Sequence, residues 1–85
     1  MPFGESPVRT FNKSCDAIWP AALQVAKDNG WKIDAATPGK PIRSGTGTIR
    51  FAVGDKDCDV YARSADADTE RKILADIAAR MTRPR

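Results

Sequence analysis

The spacing of apolar residues changes several times along this 85-residue chain, and each change marks an element. Val8 to Asn12 has the β-branched and aromatic content of a short strand. Ile18, Trp19, Ala22, Leu23, Val25 and Ala26 then recur at helical spacing, while Gln24, Lys27 and Asp28 fall opposite, which predicts a helix with one face on the core. Ser14 suits the N-cap, Asp16 complements the dipole in the first turn, and Gly30 supplies a left-handed residue at the C-terminal end. Pro20 cannot donate to the carbonyl of Asp16, so the first turn should bend or form late.

From Trp31 the period becomes two. Trp31, Ile33 and Ala35 point one way, and Lys32 and Asp34 the other. The turn-rich run Thr37-Pro38-Gly39-Lys40-Pro41 ends this strand, and a single extended run is expected from Ile42 to Val53. Ile49, Phe51 and Val53 share their parity with Gly45 and Gly47, which predicts inward-facing glycines that leave room for Trp31 or Trp19; a bulge at either glycine is the alternative. Gly54 to Asp57 connects this run to a strand in which Cys58, Val60 and Ala62 alternate with Asp59, Tyr61 and Arg63. Pairing Val53 with Cys58 places Phe51 opposite Val60 and Ile49 opposite Ala62, so inward residues meet inward residues. Ser64 to Asp68 caps a closing helix whose stripe is Ile73, Leu74, Ile77, Ala78 and Met81, with Lys72–Asp76 and Asp76–Arg80 four apart outside it.

The expected architecture is α+β, in the order β-α-β-β-β-α. It is a four-stranded sheet with both helices packed on one face and the other face polar or covered by a partner. Residues 1–85 form one domain, with a loose lead-in at 1–7, a folded core at 8–82 and a frayed tail at 83–85.

Composition removes several chemistries. With no histidine, Ser/His and Cys/His nucleophile pairs and His-containing metal sites are out of reach of this chain alone. The net charge of +3 is uneven: residues 1–50 carry seven bases and four acids, the remainder seven of each. A phosphate-binding surface is therefore permitted but not demanded. No run reaches the roughly 18 apolar residues that span a bilayer, and Met1 to Ser6 is not a charged n-region followed by an apolar stretch.

Asp55, Asp57, Asp59 and Asp66 partly imitate a calcium-loop spacing, but Val60 stands where the sharp turn needs glycine, so a solvated hairpin is the better reading. Following the strands up and down places Cys15 and Cys58 at opposite ends of the sheet, roughly 17–20 Å apart, too far for a disulfide. Cys58 is then a small core residue and Cys15 a thiol at a helix N-terminus, where a lowered pKa would make it reactive. No Gly-rich loop opens a helix to cradle phosphates, and no cofactor is expected. The polar sheet face should carry Arg50, Tyr61 and Arg63, with Lys32 and Thr48 close by if the second and third strands pair; these are the candidate partner-binding residues. Stacking and backbone neutralisation on such a face can bind single-stranded nucleic acid, although a cross-strand Arg–Tyr pair also decorates ordinary exposed sheets. The basic tail Arg80, Arg83 and Arg85 could likewise touch phosphates or only aid solubility.

The run Ser14-Cys15-Asp16-Ala17-Ile18-Trp19-Pro20-Ala21-Ala22, continuing through Asn29-Gly30-Trp31-Lys32-Ile33 to a Pro/Gly turn before Ile42, resembles small bacterial envelope domains. The pattern is similar to that of the repeated domain of the barrel-assembly lipoprotein C component, where a Trp-bearing helix ends at Gly and leads into strands and a closing helix. The likeness follows residues 8–82 in order and residues 14–33 in detail. It implies a non-enzymatic part of a larger assembly, in the periplasm, with protein contacts and no cofactor. The order α-β-β-β-α from the first helix to the last also resembles the double-stranded RNA-binding domain. The chain departs from that family at Asp66-Ala67-Asp68-Thr69-Glu70, acidic where the family places lysines.

The expectation is a non-enzymatic protein-interaction or assembly module of a bacterial envelope component. Nucleic-acid binding through the basic sheet face is the alternative, and an enzymatic role through a reactive Cys15 stands third.

Overall fold

A computed structural model describes residues 7–82, so the expected lead-in before residue 7 and the tail at 83–85 lie outside the described residues. The elements are β1 (Val8–Phe11), α1 (Cys15–Asp28), β2 (Ile33–Ala35), β3 (Ile42–Ser44), β4 (Gly47–Val53), β5 (Cys58–Ser64) and α2 (Ala67–Thr82). The strands form one antiparallel sheet in the order β1-β5-β4-β3-β2. Five strands stand where four were expected, because the run 42–53 folds back on itself.

The reversal lies at Ser44–Gly47. The Ser44 hydroxyl accepts from the backbone N–H groups of Thr46 and Gly47, both at 3.1 Å, and lies 3.2 Å from the Gly47 carbonyl. That local bonding competes with an extended ladder and closes a tight connection. Ile42 then faces Ile49 and Arg43 faces Thr48. Gly45 sits in this connection with nothing near its missing Cβ, so its expected inward role is not realised. Gly47 does make room for Trp31: a Cβ there would collide with the Arg63 carbonyl and lie 2.8 Å from Trp31 Cη2.

The β4–β5 hairpin has the predicted register, with Val53 opposite Cys58, Phe51 opposite Val60 and Ile49 opposite Ala62. Val60, Ile49 and Ala62 are fully buried and Phe51 partly so, whereas Val53 remains 83% exposed. Val53 lines a notch beside Ser14 and Cys15, at the first turn of α1, and is not roofed by the helix.

α1 begins at the predicted cap, with Ser14 accepting from the Ala17 N–H, and Pro20 is accommodated within its first turns. It ends as a Schellman motif, in which Trp31 N–H reaches the Ala26 carbonyl and Gly30 N–H the Lys27 carbonyl, both at 3.0 Å, with Gly30 at φ +84°. The motif delivers Trp31 into the core just before β2, so this residue is buried without belonging to a strand. Trp19 is anchored by its ring N–H, which donates to the Lys40 carbonyl at 2.9 Å. Lys40 follows Thr37-Pro38-Gly39 in a turn closed by a 2.9 Å bond from its N–H to the Thr37 carbonyl, with Gly39 at φ +82°.

α2 is capped by Asp66, which accepts from the N–H and hydroxyl of Thr69. The buried Glu70 carboxylate accepts from the Ser64 N–H at 2.6 Å and so ties the end of β5 to the helix. Ile73, Leu74 and Ile77 of α2 share one core with Ile18, Trp19, Ala22 and Val25 of α1 and with Ile42, Ile49, Val60 and Ala62 of the sheet. Both helices therefore cover the same sheet face. Between them, Lys72 joins Asp76 at 2.8 Å as its spacing predicts, and both bond Asn29 of α1. Arg80 pairs with Asp28 of α1 at 2.8 Å in place of the expected Asp76.

The extra reversal also overturns the placement of the cysteines. One more change of direction before β4 brings the start of β5 to the end of the sheet where β1 finishes and α1 begins, and Phe11 lies opposite Cys58. Cys15 and Cys58 are consequently bonded as a disulfide, with Cα atoms 5.1 Å apart. Neither is a free thiol, and the reactive Cys15 is excluded with it.

Candidate functional site

Alternation along the antiparallel strands sends every second side chain to the face away from the helices. Register then assembles these side chains into rows. Arg43 of β3 lies beside Thr48 of β4, which lies beside Arg63 of β5; the next row holds Arg50 of β4, Tyr61 of β5 and Val8 of β1. Arg43, Thr48, Arg50, Tyr61 and Arg63 line a single cleft. The Arg50 guanidinium carbon stands 5.4 Å from the centre of the Tyr61 ring, within cation–π range. Tyr61 is partly buried while the three arginines are exposed.

Three of the four predicted residues, Arg50, Tyr61 and Arg63, are thus brought together. Lys32 is not. It precedes β2 at the far edge of the sheet, and β3 separates that strand from β4. The second strand pairs with the short β3, so the residue beside Thr48 is Arg43 and not Lys32. Carried through an unbroken run from Ile42 to Val53, the parity of Ile49, Phe51 and Val53 would turn Arg43 inward. The signal that could have found it is Ser44-Gly45-Thr46-Gly47, a cluster of turn-forming residues that resets the alternation.

Among the described residues, the arginine cleft has no carboxylate in its lining. Guanidinium groups offer planar pairs of N–H donors, and the Thr48 and Tyr61 hydroxyls add smaller ones, so the surface suits carboxylate or phosphate oxygens. A second cleft, lined by Pro41, Arg50, Phe51, Ala52 and Tyr61, shares Arg50 and Tyr61 with the first. Asp59 accepts from the Thr10 hydroxyl at 2.6 Å in the row beyond Tyr61, and Asp68 pairs with Arg71 at 2.8 Å on α2. Among the described residues, no three His, Cys, Asp or Glu side chains gather to hold a metal ion, and no helix is long and apolar enough to cross a membrane. Of the basic tail, Arg80 is engaged with Asp28, and Arg83 and Arg85 lie outside the described residues.

No protein-family model, curated protein or solved structure matches this chain.

Proposed function

We propose that this chain is a non-enzymatic interaction module that holds an acidic protein partner on its uncovered sheet face, as part of a bacterial envelope assembly. The carrying observation is the convergence of Arg43, Arg50 and Arg63 around Tyr61 on three adjacent strands. Guanidinium groups collected on one face present N–H donors and positive potential to an anionic partner. The Cys15–Cys58 disulfide supports an oxidising compartment such as the periplasm, where such bonds persist. It also weighs against the alternative, nucleic-acid binding through the same basic, aromatic face. Four strands between α1 and α2, not three, separate the chain further from the double-stranded RNA-binding order.

The test places a photo-cross-linking residue at Ala52 on the outer face and, in a control, at the exposed Ala75 of α2, in cells of the source organism. The expected result is polypeptide adducts from position 52 that disappear when Arg50→Glu and Arg63→Glu are combined. Equal adducts from both positions would remove the sheet face as the docking surface. Nucleic-acid adducts with steep salt dependence would install the alternative.

A further inference from the structure

The sheet is incomplete beside β4. Gly54 N–H bonds the Asp57 carbonyl at 3.0 Å, and Ala62 N–H bonds the Pro7 carbonyl at 3.2 Å. Antiparallel strands alternate the side to which each residue's backbone groups point. Thr48, Arg50 and Ala52 therefore direct theirs to β5, and Ile49, Phe51 and Val53 direct theirs the other way. Ile49 meets Ile42, and the same register would set Lys40 opposite Phe51, but the Lys40 N–H bonds the Thr37 carbonyl and its carbonyl accepts from the Trp19 ring N–H, so β3 begins at Ile42. The lane beside Phe51 and Val53 is left without a strand. The cleft lined by Pro41, Arg50, Phe51, Ala52 and Tyr61 lies along it.

We propose that this lane receives an extended acidic segment of the partner polypeptide, added antiparallel to β4 in line with β3. This rests on the docking face proposed above and names what occupies it. The segment's backbone pairs with Phe51 and Val53. Its alternate side chains are a carboxylate on the outer face, beside Ala52 and toward Arg50, and apolar groups on the inner face, beside Phe51 and the exposed Val53. Only a polypeptide can use both halves of this arrangement: a phosphate chain or a lipid headgroup satisfies the arginines but leaves the strand edge unpaired. Antiparallel addition matches the rest of the sheet and is the more stable pairing.

The test is calorimetric titration of the intact oxidised protein with a capped peptide of about eight residues alternating Glu and Val, a length that covers one strand. An otherwise identical peptide carries N-methyl groups at the positions facing β4. The amides of Phe51 and Val53 are followed by hydrogen exchange. The unmodified peptide should bind and protect both amides, and either Arg50→Ala or N-methylation should weaken binding by about tenfold or more. Arg50→Ala should keep the spectrum of a folded domain. Equal binding of the N-methylated peptide, or no protection at Phe51 and Val53, overturns strand addition while leaving the arginine face as an anion-binding surface. Failure of the peptide to bind, with polypeptide cross-links still formed at Ala52, overturns this occupant but not the docking face. Tighter binding of an oligothymidine than of the peptide overturns both.

Discussion

Reduction of the Cys15–Cys58 bond should destabilise the domain more than any surface substitution. The bond joins the first residue of α1 to the first residue of β5 across a sequence separation of 43, enclosing α1 and strands β2 to β4. Closing a loop of that length in the unfolded chain removes freedom worth about 4 kcal/mol in the chain-entropy description. A domain of this size has a total stability on the order of 4–13 kcal/mol, so the bond is a large share of it. At roughly 4–8 °C per kcal/mol, the midpoint of thermal unfolding should fall by about 15–30 °C. Urea unfolding followed by fluorescence is a direct assay, because Trp19 and Trp31 are both buried. Comparison of the oxidised protein with the same protein in a phosphine reductant changes no side chain other than Cys15 and Cys58. The reduced protein should unfold at lower urea and with a steeper slope, since its unfolded chain is less compact. The double variant Cys15→Ala/Cys58→Ala should resemble the reduced protein and ignore the reductant. Coincident oxidised and reduced curves, or two titratable thiols in the unfolded protein before any reductant is added, would refute the reasoning.

Gly47→Ala should cost about 1–3 kcal/mol, because the new methyl meets the Arg63 carbonyl and Trp31, whereas Gly45→Ala should be nearly neutral; denaturant midpoints of the two variants check the contrast. Glu70→Ala should cost about 1–3 kcal/mol by leaving the Ser64 N–H without its carboxylate, and faster amide exchange at Ser64 would show the loss locally. Bonds from Thr69 hold the Asp66 carboxyl below its usual range, and the Lys72 ammonium and Asn29 do the same for Asp76. Both groups bind protons less readily when folded, so their contribution is present above the ordinary carboxylate pKa and disappears as pH falls through the lowered values. Stability should therefore decline on acidification below about pH 4, and less steeply in Asp66→Asn and Asp76→Asn, as urea midpoints across pH will show.

Much of the local structure was legible because it depends on neighbours in sequence. Ser14 at the cap, Gly30 past the end of α1 and the helical stripe of α2 each answer to spacing within a few residues. The register of the β4–β5 hairpin followed from matching inward residues across one short connection. The candidate site was legible to the extent that it shares that hairpin: Arg50, Tyr61 and Arg63 sit where alternation put them, and Tyr61 touches Arg50. Arg43 joins this face and Lys32 does not, because both positions depend on whether the chain reverses at Ser44–Gly47. Alternation continues through an unbroken strand and is reset by a turn, so one missed turn moved a whole row.

The sequence by itself determined two amphipathic helices, a hairpin of fixed register and a polar outer face, since each is encoded by the period of its side chains. Only the tertiary structure decided the number of strands, the bond between Cys15 and Cys58 and the open lane beside Phe51 and Val53. These depend on which end of the sheet each strand reaches. A single reversal, stabilised by one serine hydroxyl, changes that for every residue that follows.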